Sequence, residues 1–168
     1  IIAGCISYIE SFYLGDWLNE PFTSTKDYYD NNSFCMEVAA SGCLRILYEQ
    51  AGREIICTPE GASCYPIEEY ETLTQEMYGF SLPCTASASC PEGMAEMPYG
   101  YGAQMTDIRI LPEHAFLKDG IVHVVAEELW KDYGMPPEPI GYLEYQFQYS
   151  NTYTFFPYTL LSISKIEL

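Results

Sequence analysis

Cysteine spacing is the feature that most constrains this chain. Seven cysteines stand at Cys5, Cys35, Cys43, Cys57, Cys64, Cys84 and Cys90. Six fall into close neighbours: Cys35 with Cys43, Cys57 with Cys64, and Cys84 with Cys90. Residues 58–63 and 85–89, which two of these pairs bracket, are rich in small and turn-forming types. Local pairing would close three short loops, each stabilising the fold by on the order of 2–3 kcal/mol through lost chain entropy. Zinc knuckles use shorter cysteine spacings with histidine partners, and this chain has no such pattern. Loop-spaced cysteines point to disulfides and an oxidising compartment. Cys5 is the odd one out: a buried thiol, an intermolecular disulfide, or a partner that displaces one local pair.

The chain has 168 residues, a length that suits one domain spanning 1–168. It starts at Ile1 rather than Met, and the apolar run Ile1 to Ile9 stops at Glu10, far short of a membrane span. The expectation is a processed, secreted domain, extracellular or at the cell surface, with no membrane span. Asp and Glu number 24 against 7 Lys and Arg, a net charge of -17. That balance argues against nucleic acid, because phosphate binding depends on clustered basic residues. It also repels anionic lipid surfaces. The 16 Tyr, 8 Phe and 2 Trp favour strands and half-wet surfaces.

Patterning predicts a mainly β, sandwich-like, disulfide-stapled fold with one clear α-helix and two short ones. The clear helix is Pro66 to Tyr78. It has acids Glu68, Glu69 and Glu71 near its start, Gly79 as its stop, and Ile67, Tyr70, Leu73, Thr74 and Met77 at helical spacing. One short helix covers Met36 to Ala40, capped by Ser33; another covers Glu127 to Tyr133, ended by Gly134. Leu44 to Glu49 and Arg53 to Cys57 read as a hairpin about residues 50–52. Residues 19–33 read as a polar surface connection, and Asn31 begins the sequon Asn31-Asn32-Ser33, a candidate glycosylation site.

Asp119-Gly120 is a two-residue turn signal that pairs Lys118 with Ile121 and Phe116 with His123. Tyr142 to Tyr149 alternates, with Leu143, Tyr145, Phe147 and Tyr149 on one face and Glu144, Gln146 and Gln148 on the other. After a turn at Ser150-Asn151, Tyr153, Phe155, Leu161 and Ile163 continue the pattern. The phase then slips to Ile166 and Leu168, which implies a bulge near Ser164–Lys165.

No nucleophile elbow, zinc-protease helix, phosphate loop or dinucleotide fingerprint is present. The two histidines, His114 and His123, fall on neighbouring strands but not opposite each other. Glu68-Glu69 and Glu127-Glu128 are adjacent on helices, where neighbours point apart, so they read as solvated charge. Residues 27–33 offer oxygen ligands but lack the glycine and terminal glutamate of a calcium loop. No catalytic, cofactor-binding or metal-ligating residue is expected.

The leading functional expectation is an extracellular structural subunit that self-assembles into a homo-oligomer or filament by β-strand complementation. Its donor segments would be 1–14 and 160–168, and its contacts Ile1, Ile2, Ile6, Ile9, Leu161, Ile163, Ile166 and Leu168. The alternative is a secreted carbohydrate- or protein-binding module in which Tyr99, Tyr101 and Trp130 stack on a glycan. A small secreted hydrolase using carboxylates comes third. An unpaired sheet edge favours the first, a shallow aromatic cleft the second, and converging carboxylates the third.

Overall fold

A computed structural model describes residues 25–97, 106–130 and 134–168. The described chain is mainly β: two antiparallel sheets and two α-helices, with one disulfide.

Helix α1 runs Thr25–Gln50 as one 26-residue element. It takes in the short Met36–Ala40 helix, the first arm of the expected hairpin, Leu44 to Glu49, and much of the expected surface connection, while of the second arm Ile56–Cys57 is a strand that pairs elsewhere. The reason lies in the spacing of Met36, Ala39, Ala40, Cys43, Leu44 and Tyr48. All are buried, and they recur at three- and four-residue steps, which makes one helical stripe. The Gln50-Ala51-Gly52 stretch that resembles a hairpin turn is instead the helix stop. Gly52 takes φ +64°, the Gly52 N–H donates to the Glu49 carbonyl at 3.1 Å, and the Arg53 N–H donates to Tyr48 at 2.9 Å. This pair of bonds is a Schellman cap, which satisfies orphan carbonyls at the C-terminus.

A small sheet follows, with β1 (Ile56–Cys57), β2 (Ser63–Pro66) and β3 (Met94–Glu96) in the order β1-β2-β3. Helix α2, Ile67–Tyr78, leaves directly from β2. It has Glu68 and Glu69 in its first turn and Gly79 closing it in the left-handed region, as its sequence predicts.

The disulfide joins Cys64 on β2 to Cys90, 26 residues on, so the three local pairings are corrected. Cys57 lies across from Ser63 and Cys64 across from Ile56. Adjacent strand residues face opposite ways, so the Cys57 and Cys64 side chains point apart. Cys57 is an exposed thiol; Cys84 is a partly buried one whose pKa burial raises. Cys35 and Cys43 lie eight residues apart on α1, a rise of about 12 Å, beyond the roughly 7 Å Cα limit for a bridge.

The large sheet contains β4 (Thr106–Ile110), β5 (Phe116–Lys118), β6 (Ile121–Trp130), β7 (Glu138–Tyr149) and β8 (Tyr158–Ile166). Its order is β4-β6-β7-β8, with β5 beside the first part of β6. Asp119 and Gly120 both take positive φ, 51° and 81°, the requirement of a tight hairpin turn, and the register Lys118↔Ile121 and Phe116↔His123 is as predicted. Glu127 to Trp130 lies in β6 rather than in a helix. His114 sits in a single 3₁₀ turn, Pro112–His114, rather than in a strand. Residues 150–157 form a loop, and the bulge on β8 falls at Leu161: Gln146 pairs with Ser162 and Phe147 with Leu160. That is three residues before the expected slip.

One core unites the elements. Leu44, Tyr70, Leu73 and Met77 of the helices pack in the same cluster as Val124, Ala126, Leu143, Tyr145, Phe147, Leu160 and Ile163 of the large sheet. The face carrying those sheet residues is therefore the inner one.

Candidate functional site

Where the apolar core ends, the inner face of the large sheet continues into polar residues. Along β6 the inward series is Val122, Val124, Ala126, Glu128 and Trp130, one in every two residues. The first three positions are aliphatic; the fourth is a carboxylic acid. Ala126 sits across from Ile110 and Leu143, and Glu128 across from Ile108 and Gly141. Lys165 lies across from Leu143 on β8, a basic residue at this end of the face.

Glu128 is 3% exposed, and its Oε2 has no hydrogen-bond partner among the described residues. Burial disfavours the charged form and pushes its pKa up to about 7, against a smaller downward pull from Lys165. Directly opposite, Gly141 carries no side chain, and a Cβ there would meet no atom of the described residues within 4 Å. The β6–β7 register shifts between Glu128 and Leu129, so Ile140 is the extra residue of a bulge. Pro139 is tolerated in β7 because the bulge interrupts the ladder that its missing N–H would break. Bulges re-aim side chains, and they recur beside binding sites. Trp130, two residues beyond Glu128 on the same face, is 41% exposed; Glu138 lies across from it and is exposed.

The outer face of the same strands is polar but paired. Arg109 forms an ion pair with Glu127, and the Tyr142 hydroxyl donates to Glu127 Oε1 at 3.4 Å. His123 Nδ1 lies 3.0 Å from Glu144 Oε1, and Gln146 Nε2 donates to Glu144 Oε2 at 2.8 Å. The Phe116 ring stacks on His123 with centroids 4.3 Å apart. Each carboxylate here has a partner, which marks the face as a structural network.

Glu127 and Glu128 do point apart, as adjacent residues should. Both are nevertheless buried, at 4% and 3% exposure, rather than solvated. Because they open onto opposite faces, they do not converge as a hydrolase pair needs. Sequence reasoning missed Glu128 because a helix through 127–133 hides the inner-face alternation. Extended as a strand, the same residues show an acid in phase with Val122, Val124 and Ala126.

The other nominated residues fall as follows. Cys5, Ile1, Ile2, Ile6, Ile9, Tyr99 and Tyr101 lie outside the described residues. Asn31 lies within α1; its side chain is outside the described residues. Residues 160–166, expected as a donor strand, pair with β7 of the same chain. Ile163 is 3% exposed in the core, Leu161 and Ile166 are half-buried, and Leu168 is exposed. Among the described residues, no strand lies on the far side of β8. No group of three or more His, Cys, Asp or Glu among them could hold a metal ion, and no described helix is long and apolar enough to cross a membrane. No protein-family model, curated protein or solved structure matches the chain.

Proposed function

We propose that the chain is a binding module of an oxidising, extracellular compartment, and that its ligand enters at the gap between Glu128 and Gly141. One observation carries this reading: a carboxylate as buried as the core keeps an oxygen without a partner, beside open space on the neighbouring strand. Leaving a buried polar atom unpaired costs roughly 1–3 kcal/mol, a cost that a bound donor would offset. The Cys64–Cys90 disulfide is compatible with secretion.

The test is amide chemical-shift mapping of the ¹⁵N-labelled chain against small polar fragments, sugars among them. Fragments that bind should perturb residues 126–130 and 139–143, and Gly141→Val should abolish that response by filling the gap. Perturbations elsewhere, or a response indifferent to Gly141→Val, would overturn the proposal.

Self-assembly is the second reading, favoured by the edge of β8, which no strand among the described residues covers. The Leu161 bulge and Lys165 are features that blunt edge-to-edge pairing, and a charge of -17 on each copy opposes association at low salt. Light scattering decides it. Polymers would support the filament; a monomer of 19.1 kDa with and without reductant would remove it.

A further inference from the structure

At the other end of the large sheet the inner face leaves the core through tyrosine. Leu143, Tyr145 and Phe147 of β7 are buried, but Tyr149, next in the same series, is 51% exposed. The Tyr158 ring, across from it on β8, lies beside it with centroids 5.6 Å apart. Gln148, Asn151, Thr152, Tyr153 and Thr154 are exposed around it in sequence. Residues 145–164 contain no Asp, Glu, Lys or Arg, in a chain with 24 acidic and 7 basic residues. On the adjoining hairpin, where Ile121 lies across from Gln148, the turn carries Lys118 and Asp119, one charge of each sign.

The β7–β8 loop that bears these side chains is tied down. The Ser150 N–H donates to the Pro157 carbonyl at 2.9 Å, and the Thr152 N–H donates to Ser150 Oγ at 3.3 Å. Glu76 of α2 accepts the N–H groups of Thr154, Phe155 and Phe156. The Tyr153 and Thr159 hydroxyls lie 3.1 Å apart. A surface fixed before its ligand arrives gives up little conformational freedom on binding.

We infer that this end of the sheet is a second binding surface, and that its ligand is a neutral oligosaccharide. An anion is repelled by the net charge of -17 and meets no basic group within residues 145–164. A cation meets no carboxylate within the same residues. A second copy would bring another charge of -17 against the first. A purely apolar partner would strip water from Gln148, Asn151 and Thr152 without replacing their hydrogen bonds. A chain of sugar rings meets both demands of the surface. Its C–H faces lie on the tyrosine rings, and its hydroxyls pair with the amides and hydroxyls between them. Linked units are needed, because one sugar ring covers one tyrosine and the second contact gains from being tethered to the first. The surface lies at the opposite end of β6 and β7 from Glu128 and Gly141, and it stands whether or not that site binds.

The experiment titrates the full chain with cellohexaose, maltohexaose and N-acetylated chitohexaose, and with hexagalacturonate as the anionic counterpart, read by amide and tyrosine-ring shifts. At least one neutral hexamer should move the amides of residues 148–153 and the ring signals of Tyr149 and Tyr158. Hexagalacturonate should bind at least about tenfold more weakly. Tyr149→Ala should weaken the neutral hexamer about tenfold, Tyr149→Phe should restore most of that loss, and Gly141→Val should change nothing. Tyr149 is exposed, so urea unfolding of both Tyr149 variants should match the parent. Failure of all three neutral hexamers would overturn the inference. So would binding that ignores Tyr149→Ala, or hexagalacturonate binding as tightly as the neutral probes. Shifts at residues 148–153 that follow protein concentration without sugar would give the surface to a second copy instead. Hexamer binding abolished by Gly141→Val would overturn this surface while supporting the Glu128 site.

Discussion

Glu76 on α2 and Glu128 on β6 are hidden to the same degree, 5% and 3% exposed, yet their surroundings treat them oppositely. Glu76 accepts three backbone N–H groups, from Thr154, Phe155 and Phe156, the last two at 2.8 Å. Its own carbonyl takes the Thr159 hydroxyl at 2.7 Å. Every bond comes from the β7–β8 loop or the start of β8, so this carboxylate ties the loop to the helix. Glu128 receives no comparable set. A buried acid with donors around it is held in its charged form by the fold; one whose Oε2 lacks a donor among the described residues is left uncompensated.

The sharpest way to break this contrast is Glu76→Ala. It leaves three N–H groups without their acceptor, each costing roughly 1–3 kcal/mol where water cannot reach. Urea unfolding should show a loss of about 3–5 kcal/mol, and a loss under about 1 kcal/mol would mean the clamp is not what holds the loop. Next comes the small sheet. Replacing both Cys64 and Cys90 with Ser removes a closure of 26 residues and should cost about 3 kcal/mol in the same assay. If the double variant were as stable as the parent, the staple would be idle.

Glu128 gives a smaller and opposite signal. Its pKa is raised in the fold, so between its ordinary value near 4.5 and about 7 the folded state holds more protons than the unfolded one. The stability it contributes is present below that window and is lost as pH rises through about 7. The loss should be on the order of 1–3 kcal/mol. Glu128→Gln should flatten this slope, whereas a parallel curve in both proteins would mean the carboxyl is not desolvated. Smallest of all is Gly141→Ala. A methyl there touches nothing among the described residues within 4 Å, so stability should change by less than about 0.5 kcal/mol. A larger loss would show that the gap is not open.

The contrast also separates what was legible in the sequence from what was not. Helix α2, the Asp119-Gly120 hairpin and the alternation of β7 depend on neighbours within a dozen residues, and local patterns announce them. Helix α1 was missed because its polar first turns look like a loop and its Gly52 cap looks like a hairpin turn. Its stripe becomes visible only when Met36 to Tyr48 are read together. Glu76 is invisible to any window, since its partners lie 78 to 80 residues away. The Cys64–Cys90 bridge is hidden for a related reason: strand faces, not spacing, decide which thiols meet. Glu128 was legible in principle from the two-residue period of β6. The Glu127-Glu128 pair and the following Gly134 suggested a helix instead and masked that period.

The most direct test is the carboxyl titration of Glu128, followed by ¹³C NMR and assigned with Glu128→Gln. The account predicts a midpoint near 7, because burial disfavours the charged form. An ordinary midpoint near 4.5 would contradict it.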